Sequence, residues 1–401
     1  MNMMIETYVD LLSSDAVRSQ SARVTEHVRS GGGVFVVHDE ALDACARHVV
    51  NVTLGRYPEL DIPYHSRWRH FAAPEVTELQ SRLLEHLDGL GPIEAARVGF
   101  DLVIPSVLLD AGAGPDWTYT DRHSSLTVGR SEGLGLASLD MFLSGRFSRD
   151  GHVRTDAAAL VDLDVETLRD GFQVSDTNVL VGLDGRLDVL RQLGAAIGAR
   201  PDVFATGRPG DLVDHLLPEG GGAIEAAEIL ECLLDVLGPI WPSRLVRDGL
   251  SLGDAWRYEP FPDGPSGIVP FHKLSQWLTY SLVETLEMHG LKISGLDRLT
   301  GLPEYRNGGL LLETGVLSLR DPSQADLKHP PESQLIVEWR ALTITLLDEI
   351  ADRVRTLLDR PELPLAEILE GGTWAAGRGL AFDRTPNGTP PLHLDSDGTV
   401  F

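Results

Sequence analysis

QLIVEWRALTITLLDEIADRVRTLL, residues 334–358, is the stretch whose reading decides the fold. Leu342, Leu346, Ile350, Val354 and Leu357 recur at three- and four-residue spacing, which predicts one apolar face of a long α-helix with charged residues opposite. Glu338 and Arg340 open the same helix. Turned inward, they would need each other or a ligand, because a buried charge is costly without a partner.

Working outward, residues 13–30 and 74–90 read as surface helices by the same spacing, and 134–142, 161–170, 183–197, 225–237 and 272–288 also read as helical. An apolar run over 101–110 ends at the breaker Gly112-Ala113-Gly114-Pro115. Strand signals are short: 34–37 after a glycine triplet, Val174, and a small ribbon over 309–319. Strands and helices do not alternate as in a doubly wound sheet. The expected fold is therefore mainly α, a large multi-helical single domain with a few short strands. Its predicted layout is a helical extension over 1–30, then 31–401 as one domain with a closing segment at 365–401.

The 401 residues carry a formal net charge of −26, and only Lys273, Lys292 and Lys328 among the cations are lysine. Such acidity argues against nucleic-acid or anionic-membrane partners, which need a basic face. No apolar run approaches the roughly 20 residues that span a bilayer. The acidic start lacks the basic region of a secretory signal. Two cysteines, Cys45 and Cys232, make neither a disulfide framework nor a cysteine-rich zinc site, so a reducing cytoplasm is expected. The oligomeric state is not legible.

Chemistry concentrates in a few segments. PYHSRWRHF (63–71) gathers His65, Arg67 and Arg69 among aromatics, which fits an anion or sugar site or a structural arginine–tryptophan ladder. Metal-ligand spacing is absent there. LLDAGAGPDW (108–117) places Asp110 and Trp117 around a flexible turn, and Glu132 follows. FHKLSQW (271–277) opens a helix in which Lys273 and Gln276, three apart, share a face beside His272. PEYRNGG (303–309) is the strongest catalytic candidate: Glu304, Tyr305 and Arg306 run into two glycines. A Glu304–Arg306 ion pair in a loop is the plainer reading. EGGTWAAGR (370–378) brings Glu370, Thr373, Trp374 and Arg378 near the chain end, either against a ligand or closing the core. No nucleophile elbow or P-loop is present.

Taken together, PYHSRWRHF, FHKLSQWLTYSL (271–282), PEYRNGG, VEWRALT (337–343), EGGTWAAGR and the terminal DGTVF resemble the uracil-catabolism family, the fourth gene product of the uracil-degrading pathway. In that pathway the pyrimidine ring is opened to leave urea joined to ribose or ribose phosphate, and a later step must release urea. The order of motifs also resembles, more remotely, the queuosine 5′-phosphate N-glycosylase (queuosine salvage) family. Its Lys-x-x-Gln helix, D-Y-R loop, G-V-L turn and E-x-R helix correspond here to Lys273 and Gln276, to Glu304-Tyr305-Arg306, to Gly315-Val316-Leu317, and to Glu338 with Arg340. Leu109-Asp110-Ala111 with Trp117, and Gly185-Arg186 through Leu193-Gly194, are similar to two further segments of it. This chain departs in carrying Glu304 where that family has Asp, and Asn307-Gly308-Gly309 where it has V-P-Q.

The resemblance implies an N-glycosidase acting on a small ribosyl or ribosyl-phosphate substrate, with Glu304 and Asp110 as catalytic carboxylates and no cofactor or metal. Breaking a ribosyl C–N bond builds positive charge on the sugar, and a preorganised carboxylate is worth about 3–4 kcal/mol there. Arg67, Arg69, Lys273 and Arg378 are candidates for a 5′-phosphate; Asp110, Glu132 or the EGGTW segment for urea. Two other classes stay open: a metal-dependent amidohydrolase acting on the urea group, and a non-catalytic partner of the ring-opening enzyme.

Overall fold

The structure is a computed structural model, described over residues 5–72, 78–110, 112–114, 116–122, 124–240 and 245–395. The fold is mainly α, as the periodicities predict, and its strands are pieces of two or three residues joined in pairs. Residues gather into two compact units. The first combines 1–65, 243–276 and 295–401; the second combines 66–242 and 277–294.

The first unit is organised by the Gln334–Leu358 helix. Ser333 caps it by accepting the Ile336 N–H. Leu342, Leu346, Ile350 and Val354 are buried as expected, against the helices Ser14–Arg29 and Leu42–Arg56. Leu357, assigned to the same face, is 47% exposed in the last turn of the helix, next to its C-cap Asp359. The N-terminal half is buried on all sides, Glu338 and Arg340 included.

Strand Phe35–Val37 pairs antiparallel with Leu317–Leu319 in the register Phe35↔Leu319. The ribbon expected over 309–319 is therefore not local. Residues Tyr305–Glu313 form a helix instead, because Glu304 satisfies its first free N–H groups. Leu365–Ile368 runs through a π-helical turn at Leu369–Thr373 into the helix Trp374–Arg384. Gly377 lets that helix touch Tyr305–Glu313: a Cβ there would stand 2.0 Å from the Arg306 carbonyl oxygen. The terminal DGTVF lies outside the described residues.

The second unit is built on Pro92–Leu108, a helix buried from Val98 to Leu108, with Arg130–Leu143 and Leu183–Ala199 packed beside it. The continuous helix expected over 161–170 is two helices, Ala157–Val161 and Val165–Gly171, because Asp164 breaks the run and caps the second by accepting the Thr167 N–H. Val174 is not in a strand; the only pairing nearby is a bridge between Ser175 and Asn178. Thr118–Thr120 and Thr127–Gly129 form a hairpin that periodicity did not show. The expected 74–90 helix is described as Glu78–Asp88, and 73–77, Ala111 and Pro115 lie outside the described residues. No helix among the described residues is long and apolar enough to cross a membrane.

Candidate functional site

Glu304 stands at the N-terminus of Tyr305–Glu313 with a carboxylate that accepts two backbone N–H groups, from Arg306 at 2.9 Å and Asn307 at 2.8 Å. A helix N-terminus favours negative charge, so the cap is also an electrostatic mount. Burial nevertheless raises the pKa of Glu304, and the two N–H groups with the nearby Lys273 and His65 only partly offset it. The carboxylate is thus deep, while the residue as a whole is half-buried.

The motif residues around it explain its placement. Gln276 is fully buried and clasps Thr300: its Oε1 accepts the Thr300 N–H at 3.1 Å, and its Nε2 donates to Thr300 Oγ1. Arg340 makes a two-pronged bridge to Asp254, 2.7 Å on each arm, and lies 4.1 Å from the centre of the Phe271 ring. Asp254 also accepts the Lys273 backbone N–H at 3.1 Å and the Trp256 indole N–H at 2.8 Å. Burial alone would raise the Asp254 pKa, but the charge and hydrogen bonds of Arg340 hold it down at about 2. Gln276 and Arg340 therefore fix the chain on either side of Lys273 and before Glu304.

Arg306 does not pair with Glu304. Its Nη1 donates to the Gly388 carbonyl at 2.9 Å, and the guanidinium stacks 4.6 Å from the centre of the Tyr305 ring. The loop ion pair is corrected accordingly, since both Glu304 oxygens are taken up by backbone N–H groups. Glu338 and Arg340 do not pair either: Glu338 accepts the N–H groups of Val34 and Phe35 (2.8 and 2.9 Å) and the Tyr258 hydroxyl at 2.8 Å. His272 adopts φ +47°, and its ring Nε2 meets the Leu11 carbonyl at 2.9 Å; burial lowers its pKa.

The C-terminal motif supplies a second acidic centre in the same unit. Glu370 on the π-helical turn accepts from His65 Nδ1 at 2.8 Å, Arg56 Nη2 at 3.0 Å and the Tyr57 hydroxyl at 3.3 Å. Burial would raise its pKa, yet His65 and Arg56 outweigh that and leave it below the usual carboxylate range. Trp374 lies beside His65 with ring centres 5.9 Å apart, and the Arg378 guanidinium is 5.3 Å from the Trp374 ring centre. Thr373 Oγ1 donates to Asn307 Oδ1 at 2.9 Å, tying this turn to the Glu304 helix. Asp254, Arg56, Tyr57 and Asn307 were not singled out from sequence. Only Asn307 had a signal, inside the quoted PEYRNGG.

Another group forms in the second unit. Arg67 is fully buried; its Nε donates to Ser106 at 2.7 Å, its Nη1 reaches Asp110 at 3.3 Å, and its Nη2 has no hydrogen-bond partner among the described residues. Burial lowers its pKa, opposed chiefly by Asp110 and more weakly by Glu132. Arg69 instead bridges to Glu284, and the Trp117 indole N–H donates to the Phe172 carbonyl at 2.9 Å. Burial pushes both thiols, Cys45 and Cys232, up to about 11, which suits neither to act as a nucleophile near neutrality. Among the described residues, no cluster of three or more His, Cys, Asp or Glu is arranged to hold a metal ion.

Comparison with known proteins agrees over nearly the whole chain. Residues 10–401 match the family described as "Protein of unknown function (DUF1688)". The chain is 39% identical over 415 residues to "Protein urg3" of Schizosaccharomyces pombe, covering all of both proteins. It is 40% identical over 430 residues to "Uracil catabolism protein 4" of Lachancea kluyveri, covering 97% of this chain and 98% of that one. This protein is a member of the DUF1688 family.

Proposed function

We propose that the protein acts in uracil catabolism as an N-glycosidase, hydrolysing the ribosyl C–N bond of ribosylurea or ribosylurea 5′-phosphate to release urea. The pathway is suggested by the name of the Lachancea relative, which aligns almost end to end. The chemistry rests on one observation: Glu304 is a deep carboxylate mounted on two backbone N–H groups, on a residue that is only half-buried.

Such a group suits the reaction in two ways. As the C–N bond stretches, positive charge gathers on the ribosyl carbon and ring oxygen, and a fixed carboxylate nearby stabilises it without reorganising. The same carboxylate takes a proton from the attacking water, a role favoured by the rise that burial imposes on its pKa. Lys273, whose charge Glu304 feels, is the cation we assign to a hydroxyl or phosphate of the sugar. Asp110 is a second catalytic candidate, and in the second unit it serves at least as the counter-ion of Arg67.

The test is product analysis with purified protein on ribosylurea and on its 5′-phosphate, with and without chelator. Urea plus ribose or ribose phosphate, formed equally in both conditions, is the expected result and identifies the substrate form. Ammonia that disappears with chelator would replace this reading with an amidohydrolase.

A further inference from the structure

Urea is a poor leaving group, so a glycosidase of this kind needs a proton donor as well as the carboxylate at Glu304. His65 has the arrangement of one. Its Nδ1 donates to Glu370 at 2.8 Å, and its backbone N–H is fixed by the Ala366 carbonyl at 3.0 Å. Glu370 is held in turn by Arg56 and Tyr57. A carboxylate on Nδ1 leaves Nε2 as the nitrogen that exchanges a proton with a ligand. The side chain is 13% exposed, largely buried but not sealed off. Its charge is felt at the Glu304 carboxylate, which places both groups in one electrostatic neighbourhood. Trp374 flanks the imidazole, its ring centre 5.9 Å away.

We infer that His65 is the general acid that protonates the departing urea, with Glu370 as the positioning residue that orients it. This rests on the N-glycosidase reading above. In the step, the ribosyl C–N bond breaks and its electron pair goes to the urea nitrogen, which takes the proton from His65 Nε2. Water adds to the sugar carbon and gives its proton to Glu304. Proton return from Glu304 to His65 through solvent resets the site, and the sum is substrate plus water to sugar plus urea.

A leaving group that needs no proton separates this role from a structural one. With ribosylurea, His65→Gln should lose at least about 100-fold in kcat, the lower range for a general acid. With p-nitrophenyl riboside the same variant should stay within about threefold of wild type, whereas Glu304→Gln should be impaired on both. Glu370→Gln should follow the His65→Gln pattern more weakly with KM unchanged. If wild type does not accept the nitrophenyl substrate, recovery of His65→Gly by added imidazole decides instead. Equal losses on both substrates, no imidazole recovery, or full ribosylurea turnover in His65→Gln would each overturn the assignment while leaving Glu304 untouched. Absence of any urea release by wild type would remove the N-glycosidase reading itself.

Discussion

Replacing Asp254 with Asn tests whether the first unit is pinned as described. Asp254 takes both arms of the Arg340 guanidinium at 2.7 Å, and Arg340 is 1% exposed. Asparagine keeps one oxygen for the Lys273 N–H or the Trp256 indole but cannot meet both arms of the guanidinium. Removing one partner of such a pair costs about 3–5 kcal/mol, because the other charge stays buried without compensation. The ionisation of Asp254 gives an independent gauge. Its pKa falls from 3.8 to about 2, so the folded state gains roughly 2 kcal/mol from the charged form. Both values are large against the 5–15 kcal/mol that holds a typical domain together. Thermal melting at neutral pH should show the midpoint lowered by on the order of 10 °C. The pair Asp254→Leu with Arg340→Met should recover much of that loss, since a hydrophobic replacement of both charges is often neutral. A midpoint within 2 °C of wild type for Asp254→Asn would refute the reasoning, as would a double variant no better than the sum of its parts.

Three further outcomes follow from the same geometry. Gly377→Ala should cost about 1–3 kcal/mol in melting experiments, because its methyl group would press on the Arg306 carbonyl, whereas Gly379→Ala, facing open space, should be neutral or slightly stabilising. Acid should weaken the first unit through depressed carboxylates. Asp254 and Glu370 contribute stability above their unfolded pKa values near 4, and that contribution is lost as pH falls towards 2, which melting between pH 5 and pH 2 will register. Glu304→Gln should cost only about 1 kcal/mol in thermal stability, since the amide oxygen still caps one N–H of the helix.

Helices were legible where one face is apolar and the other charged, as in Gln334–Leu358, and the mainly α fold followed from that alone. Breaks were legible only in part: Asp164 splits a run whose apolar spacing continues across it, because a side-chain cap competes with the helix and leaves no mark on periodicity. Pairing between distant strands, such as Phe35–Val37 with Leu317–Leu319, leaves no local trace. The candidate site was half visible. Short motifs located Glu304, Gln276 and Arg340, yet periodicity could not show that Glu338 and Arg340 have separate partners, because those partners arrive from Val34, Tyr258 and Asp254 far along the chain. Arg56 and Tyr57, which complete the Glu370 centre, sit at a helix end with no sequence signature of their own.

The most direct measurement is the rate of urea release from ribosylurea by Glu304→Gln against wild type, alongside substrate affinity and melting temperature. The expected result is a fall in kcat of about 10²–10³-fold, equivalent to the 3–4 kcal/mol of one preorganised group, with affinity and fold retained. Wild-type turnover in a folded Glu304→Gln protein would contradict the assignment of Glu304 as the group that cleaves the bond.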